Sequence, residues 1–372
     1  MMTSVEEDPD WGTADVIEDD DFESNHVIGE TSLDRLACSV GGKTILPIVM
    51  DAVSQMLQNP DWRHRFAAMM AVSAVGEGCH DQMLPMLPRI LSGILPFLTD
   101  SHPRVRYAAC NALGQMASDF SPEFQEKFHN IVPNLMLLLD DHMNPRVQAH
   151  AGAALVNFFE ECTPKIVANY MDEAANKLEA LITMKIDELR SKGTKLVLEQ
   201  AVVTLASLAD SAQEYFERYY DKFVPYLKAI IEMATADELK VLRGKAIECI
   251  SLIGLAVGKE RFCADANAVM TMLLRTQTGE IQLADDDPQL SYMISAWARI
   301  CKILGPQFKP YLPSVMPPVL RAASYKVQVA FLDQDDKSTV EAENDWQCVS
   351  LGDQVCFKNR FFLFYIKFNI QM

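Results

Sequence analysis

A helical pattern that returns about every 45 residues is the feature that most constrains this chain. Asp61–Gly78 (DWRHRFAAMMAVSAVGEG), His102–Ser118 (HPRVRYAACNALGQMAS) and Asn144–Glu161 (NPRVQAHAGAALVNFFEE) each set an Ala-rich run behind a basic or polar start. Looser versions begin at Lys195, Glu238 and Asp287. Aligned on Arg65, Arg106, Gln148, Leu198, Arg243 and Ser291, the runs lie 41, 42, 50, 45 and 48 residues apart, the period of HEAT-type helix pairs. A single unit of that size cannot bury its apolar face, so neighbouring units must stack.

Between the runs lies a second helical pattern that opens with an apolar residue and Pro: Leu46-Pro47, Leu87-Pro88, Val132-Pro133, Val224-Pro225 and Leu312-Pro313. Proline is tolerated in a first helical turn, where its missing N–H would have no intrahelical partner. The predicted fold is therefore all-α, a HEAT/armadillo-like right-handed superhelical solenoid of antiparallel helix pairs. About six pairs and a partial seventh occupy residues 35–330. An acidic arm or loop (1–34) precedes them, and an acidic linker with an aromatic tail (331–372) follows. The last pair has no polar capping repeat after it, so the array reads as a section of a longer solenoid.

Charge narrows the partner. The formal charge is −18, but residues 1–34 carry 12 of the 51 acidic groups and no Lys or Arg, leaving the body only mildly acidic. That balance argues against nucleic acid, whose phosphates require clustered cations, and favours a basic protein partner. The arm interleaves its acids with Trp11, Ile17 and Phe22, an arrangement in which charge steers and rings anchor. The N-terminus lacks a secretory signal, and the run Phe361–Ile366 is far shorter than the ~20 residues needed to cross a bilayer. Nine cysteines without a C-x-x-C pair read as reduced core residues of a cytosolic or nuclear protein.

Candidate chemistry is thin. Ala37–Thr44 (ACSVGGKT) matches a phosphate-binding loop except at its first glycine, but what precedes it reads as helix rather than strand. No histidine pair has metal-ligand spacing and no nucleophile elbow is present, so the reading is a non-enzyme with no cofactor and no metal. Asn111, Asn157, Glu160, Glu161 and Glu248 on the second helices are candidates for an acidic groove that receives Lys and Arg, with Trp297 a candidate anchor. A solvated helix face would look the same in sequence.

GGKTILP, LQNPDWRHR, AVSAVGEGCH, HPRVRYAACNALGQMASDF, KGTKLVLEQ, LRGKAIECISLIGLAVGKERF and DDDPQLSYMISAWARICKILG together resemble the middle of beta-karyopherins of the importin beta-3 type, over residues 5 to 354. The resemblance implies a nuclear transport receptor section of cytoplasm and nucleus. Its partners would be basic cargo of histone or ribosomal type, the GTPase Ran, and nucleoporins, with no direct contact to nucleic acid or membrane. It carries a Ran-contact role to Glu6, Glu7, Asp8, Asp10, Trp11, Glu18, Asp19, Asp20, Asp21 and Glu23. A HEAT scaffold of the phosphatase type is the alternative reading. Residues 355–372 follow neither the family nor the repeat.

Overall fold

The computed structural model describes residues 1–15, 24–277 and 287–324, with strands at 329–332, 346–351 and 354–359. The helices are α1 (Asn25–Val40), α2 (Gly42–Met56), α3 (Trp62–Ala74), α4 (His80–Met83), α5 (Leu87–Ile94), α6 (Pro103–Asp119), α7 (Glu123–Phe128) and α8 (Val132–Leu138). They continue as α9 (Pro145–Glu160), α10 (Pro164–Val167), α11 (Met171–Lys192), α12 (Leu196–Ala212), α13 (Tyr220–Met233), α14 (Lys240–Gln277), α15 (Gln289–Leu304) and α16 (Leu312–Ser324). α3, α6, α9, α12, the first part of α14, and α15 pack each on the next and form one layer. The first helices of the pairs, α2, α5, α8, α11, α13, the later part of α14, and α16, form the other. The HEAT-type all-α solenoid is what the structure shows.

The second layer is tight because its facing residues are small. Ala108, Ala109, Ala112, Ala151, Ala154, Ala201 and Ala209 are all buried, and a Cβ on Gly114 would lie 3.1 Å from the Cα of Ala154. Short side chains bring these helices closer together than the bulkier first helices, which places the second layer on the inside of the curve. The aligned positions also have a shared structural task. The Arg65 guanidinium donates to both carboxylate oxygens of Asp100 at 2.8 and 2.9 Å and to the carbonyl of Pro60 at 2.9 Å. One repeat later, Arg106 donates to Asp141 at 2.9 Å and to the carbonyl of Asp100 at 2.8 Å. Gln148 continues the row through the carbonyl of Leu139 at 2.6 Å. In this polar ladder the Arg65–Asp100 and Arg106–Asp141 pairs tie a second helix to the turn of the next repeat, while the carbonyl bonds, Gln148 to Leu139 included, tie it to the turn before its own start.

Several expectations are corrected. Helix α1 begins at Asn25 and packs on both α2 and α3, so residues 25–34 belong to the array rather than to an arm. Pro88, Pro133 and Pro313 lie in first turns, but Pro47 and Pro225 are the sixth residues of α2 and α13. An extra turn precedes each, and the ring leaves the carbonyl four residues earlier without its usual donor. Ala37–Val40 is the last turn of α1, and Gly41 separates two helices, so the phosphate-loop match sits on no strand-loop-helix corner. Within α14, Gly258 at φ 77° and ψ −178° breaks the helix into two antiparallel-capable halves; that backbone region is essentially closed to residues with a Cβ. Cys79, Cys110, Cys162 and Cys249 are buried as expected, whereas Cys38 and Cys301 are exposed.

After Ser324 the chain forms β1 (Val329–Leu332), β2 (Trp346–Leu351) and β3 (Gln354–Asn359) in the antiparallel order β1-β3-β2. Leu351 stands opposite Gln354 and Trp346 opposite Asn359. Among the described residues no helix is long and apolar enough to cross a membrane.

Candidate functional site

Carboxylates recur where helix physics disfavours them. Glu77 follows α3, Asp119 ends α6, Glu160 ends α9 with Glu161 beside it, and Asp210 lies in the last turn of α12. The C-terminus of a helix carries a partial negative charge, so an acid there costs ~0.3–1 kcal/mol where a Lys would help. Asp34, on the second half of α1, joins the row at its start. Asp34, Cys38 and Glu77 bring their ligand atoms within 4.8 Å of one another, and the Cys38 thiol lies 3.7 Å from Asp34 Oδ1.

These acids feel one another. Burial, then the charges of Glu77 and Asp34, push the Asp119 carboxyl up to about 6, although Gln115 donates to it at 2.7 Å. Burial and the charge of Asp34 push Glu30, one turn earlier in α1, up to about 7. Glu160 is raised by burial and then by Glu161 and Asp210. Asp210 is raised by burial, against the pull of Arg299. Burial is the first cause in each case, so this surface holds several partly dehydrated carboxylates above their ordinary range. An ammonium group, with three donors and a full charge, is what such a row can best accept. Asp34, Cys38 and Glu77 are the donor set nearest to metal-ligand proximity, but their open, mixed character fits a cation of that kind equally well.

The residues named from sequence are divided by the structure. Asn111 donates to Ser73 Oγ at 2.8 Å and its carbonyl oxygen faces His150 Nε2 at 3.1 Å, so it braces α3, α6 and α9. Asn157 donates to the carbonyl of Gly114 at 3.3 Å. Glu160 and Glu161 lie in the row, and Glu161 accepts from Ser121 Oγ at 3.1 Å. Glu248 is already paired with Arg299 at 3.2 Å, so its charge is largely spent inside the layer. Trp297 is corrected: at 1% exposure it is core of α15 and cannot anchor a partner.

The N-terminal arm is corrected as well, because residues 1–15 are docked along the N-terminal ends of the second helices. Val5 is buried and its carbonyl accepts from Arg63 Nε at 2.9 Å. Glu7 accepts from Trp62 Nε1 at 3.0 Å and Arg63 at 3.1 Å, with His102 Nε2 at 3.5 Å; these donors hold its carboxyl below its ordinary range. Trp11 is 8% exposed, edge-on to Tyr107 at 5.3 Å, with the guanidinium groups of Arg104 and Arg146 over its ring at 4.9 and 4.7 Å. Asp15 accepts from the backbone amides of Lys195 and Leu196 at 2.9 Å, capping α12, which has no side-chain cap of its own. The sequence reading missed Asp15, Asp34, Glu77, Asp119 and Asp210. Glu6, Asp8 and Asp10 stay exposed, while Glu18, Asp19, Asp20, Asp21 and Glu23 lie outside the described residues.

Fold and surface define a HEAT-repeat solenoid with carboxylates recurring along its second-helix layer, and known proteins share its repeats. The importin repeat family matches residues 1–47, the HEAT-like repeat residues 62–116, and the TPR repeats of importin subunit beta-1-like proteins residues 165–336. Importin subunit beta-3 of Saccharomyces cerevisiae is 37% identical over 94% of this chain and 32% of its own length. The probable importin-5 homolog of Dictyostelium discoideum is 31% identical over 91% of this chain and 30% of its own. Crystal structures of Kap121p bound to Pho4p and to Nup53p superpose with TM-score 0.82 at 35% identity, over 97% of this chain and 34% of theirs. A Kap121p variant with the same TM-score and identity carries lysine in place of an aspartate, a glutamate and an aspartate, 43 and 42 positions apart. The chain belongs to the importin beta family of karyopherins, and it spans about a third of the length of the relatives it matches.

Proposed function

We propose that this chain is a cargo-binding section of a nuclear import receptor and that Asp34, Glu77 and Asp119 receive lysines of a basic signal segment. The observation that carries this reading is spacing with chemistry. The three residues run aspartate, glutamate, aspartate at steps of 43 and 42, the order and steps of the three acids replaced in the Kap121p variant. Binding acts by complementarity: the row is pre-formed and partly dehydrated, so an incoming ammonium relieves carboxylate repulsion as it binds. Asn111 and Asn157 join the proposed surface with amides fixed by hydrogen bonds. Glu160, Glu161 and Asp210 extend the row toward a second basic stretch, with cargo of histone or ribosomal type as the partner class.

Ran and nucleoporins complete the proposed partner set. Ran contact falls to Glu6, Asp8, Asp10 and the acids Glu18–Glu23, because Glu7 and Trp11 are taken by the body of the chain. Ran in its GTP form would favour a superhelical shape that grips cargo less well, moving between nucleus and cytoplasm with the receptor. The test is charge reversal. Replacing Asp34, Glu77 and Asp119 together by Lys should weaken binding of a lysine-rich peptide by more than tenfold in calorimetric titration. Unchanged affinity with the fold intact by circular dichroism would sink the reading.

A further inference from the structure

The N-terminal edge of the second-helix layer is built like a peptide-binding site. Trp62 stacks on His102 at 3.9 Å, with planes 4° apart, and presents its indole N–H to a carboxylate. Arg104 and Arg146, from α6 and α9, both stack their guanidinium groups over one aromatic ring. The start of α12 offers two backbone amides and has no cap of its own. These features follow one another along four successive second helices in the order carboxylate, ring, carboxylate. Glu7, Trp11 and Asp15 supply that order at steps of four residues.

We infer that this edge is a binding track for an extended segment bearing an acid, an aromatic ring and a second acid four residues apart, and that residues 5–15 occupy it in cis. The ligand class is an acidic-aromatic peptide, opposite in charge to the lysine-rich segment proposed for the inner face, so the two surfaces select different partners. Of the segment Val5, Trp11 and Gly12 alone are buried, and Glu7 keeps half of its side chain in water. The cis segment is therefore held by a few point contacts. A partner segment of the same chemistry competes with a tethered occupant whose effective concentration is on the order of millimolar. Weakening the cis contacts uncovers the track without altering the residues that line it.

The experiment uses the full chain and a fluorescent peptide matching residues 3–16. By anisotropy, the chain carrying Trp11→Ala and Asp15→Ala should bind this peptide at least tenfold more tightly than the unaltered chain. A peptide with Ala in place of its tryptophan should lose at least tenfold on the same variant. Equal affinity of the two chains, or binding indifferent to the peptide's tryptophan, overturns the track. Amide hydrogen exchange on the single variant Asp15→Ala, which has no side-chain acceptor, serves where the double variant is poorly folded. The amides of Lys195 and Leu196 should then exchange at least tenfold faster; unchanged exchange overturns the docking.

Discussion

Asp119 carries a charge that its surroundings resist. A carboxyl whose folded pKa lies above its unfolded value makes the ionised folded state less stable, so the penalty is full at pH 8 and is relieved as pH falls through about 6. Asp119→Asn should therefore stabilise the chain at pH 8 by on the order of 1 kcal/mol after solvent screening, and by less at pH 5, measured by urea melts. The same titration weakens the proposed function in the opposite sense. Protonating Asp119 near 6 and Glu30 near 7 removes negative charge from the row, so lysine-peptide affinity should fall several-fold between pH 7.5 and 5.5. An affinity that is flat over that range would exclude these carboxyls from the binding surface. Little of this was legible in sequence. Asp34, Glu77 and Asp119 do recur with the repeat, but a carboxylate on an exposed helix turn looks the same whether it faces solvent or other carboxylates. Glu7 and Trp11 read as an arm reaching for another protein because their partners within the chain lie 55 and more positions away.

The helices themselves were far more legible. Alanine-rich runs at a recurring period specify close-packed second helices, and Arg65 and Arg106 at the heads of two successive runs mark the ladder. Their partners were not visible, since Asp100 and Asp141 lie in the turns between the two helices of a pair, where acids are common for other reasons. Asp141→Ala leaves the Arg106 guanidinium, 14% exposed, with only carbonyl acceptors. That variant should lose about 1–3 kcal/mol of stability by urea denaturation, with peptide affinity unchanged. Gly258→Ala tests the break in α14. Forcing a Cβ into φ 77° should cost about 1–3 kcal/mol, and a melt within 0.5 kcal/mol of the parent would show that the backbone relaxes freely. The extra turns before Pro47 and Pro225 escaped the sequence reading because a proline excludes only the bond it removes, not a helix that starts earlier.

At the scale of the whole molecule, stacking makes each repeat depend on its neighbours and leaves the inner face as a continuous, long electrostatic surface. Binding of a lysine-rich peptide should weaken roughly tenfold between 50 and 300 mM NaCl, as screening shortens the reach of that surface. Affinity independent of salt would point to apolar anchoring instead. The solenoid period fixes how many such acids line up, while the superhelical pitch fixes how far apart they stand. That pitch has a mechanical stop. From Glu7 to Asp15 the backbone can extend to no more than about 29 Å, and its two ends are fastened to the start of α3 and the start of α12. The segment is an inextensible thread sewn through a flexible spring: the repeats between those stitches can close up freely, but they can open only until the thread is taut or a stitch gives way.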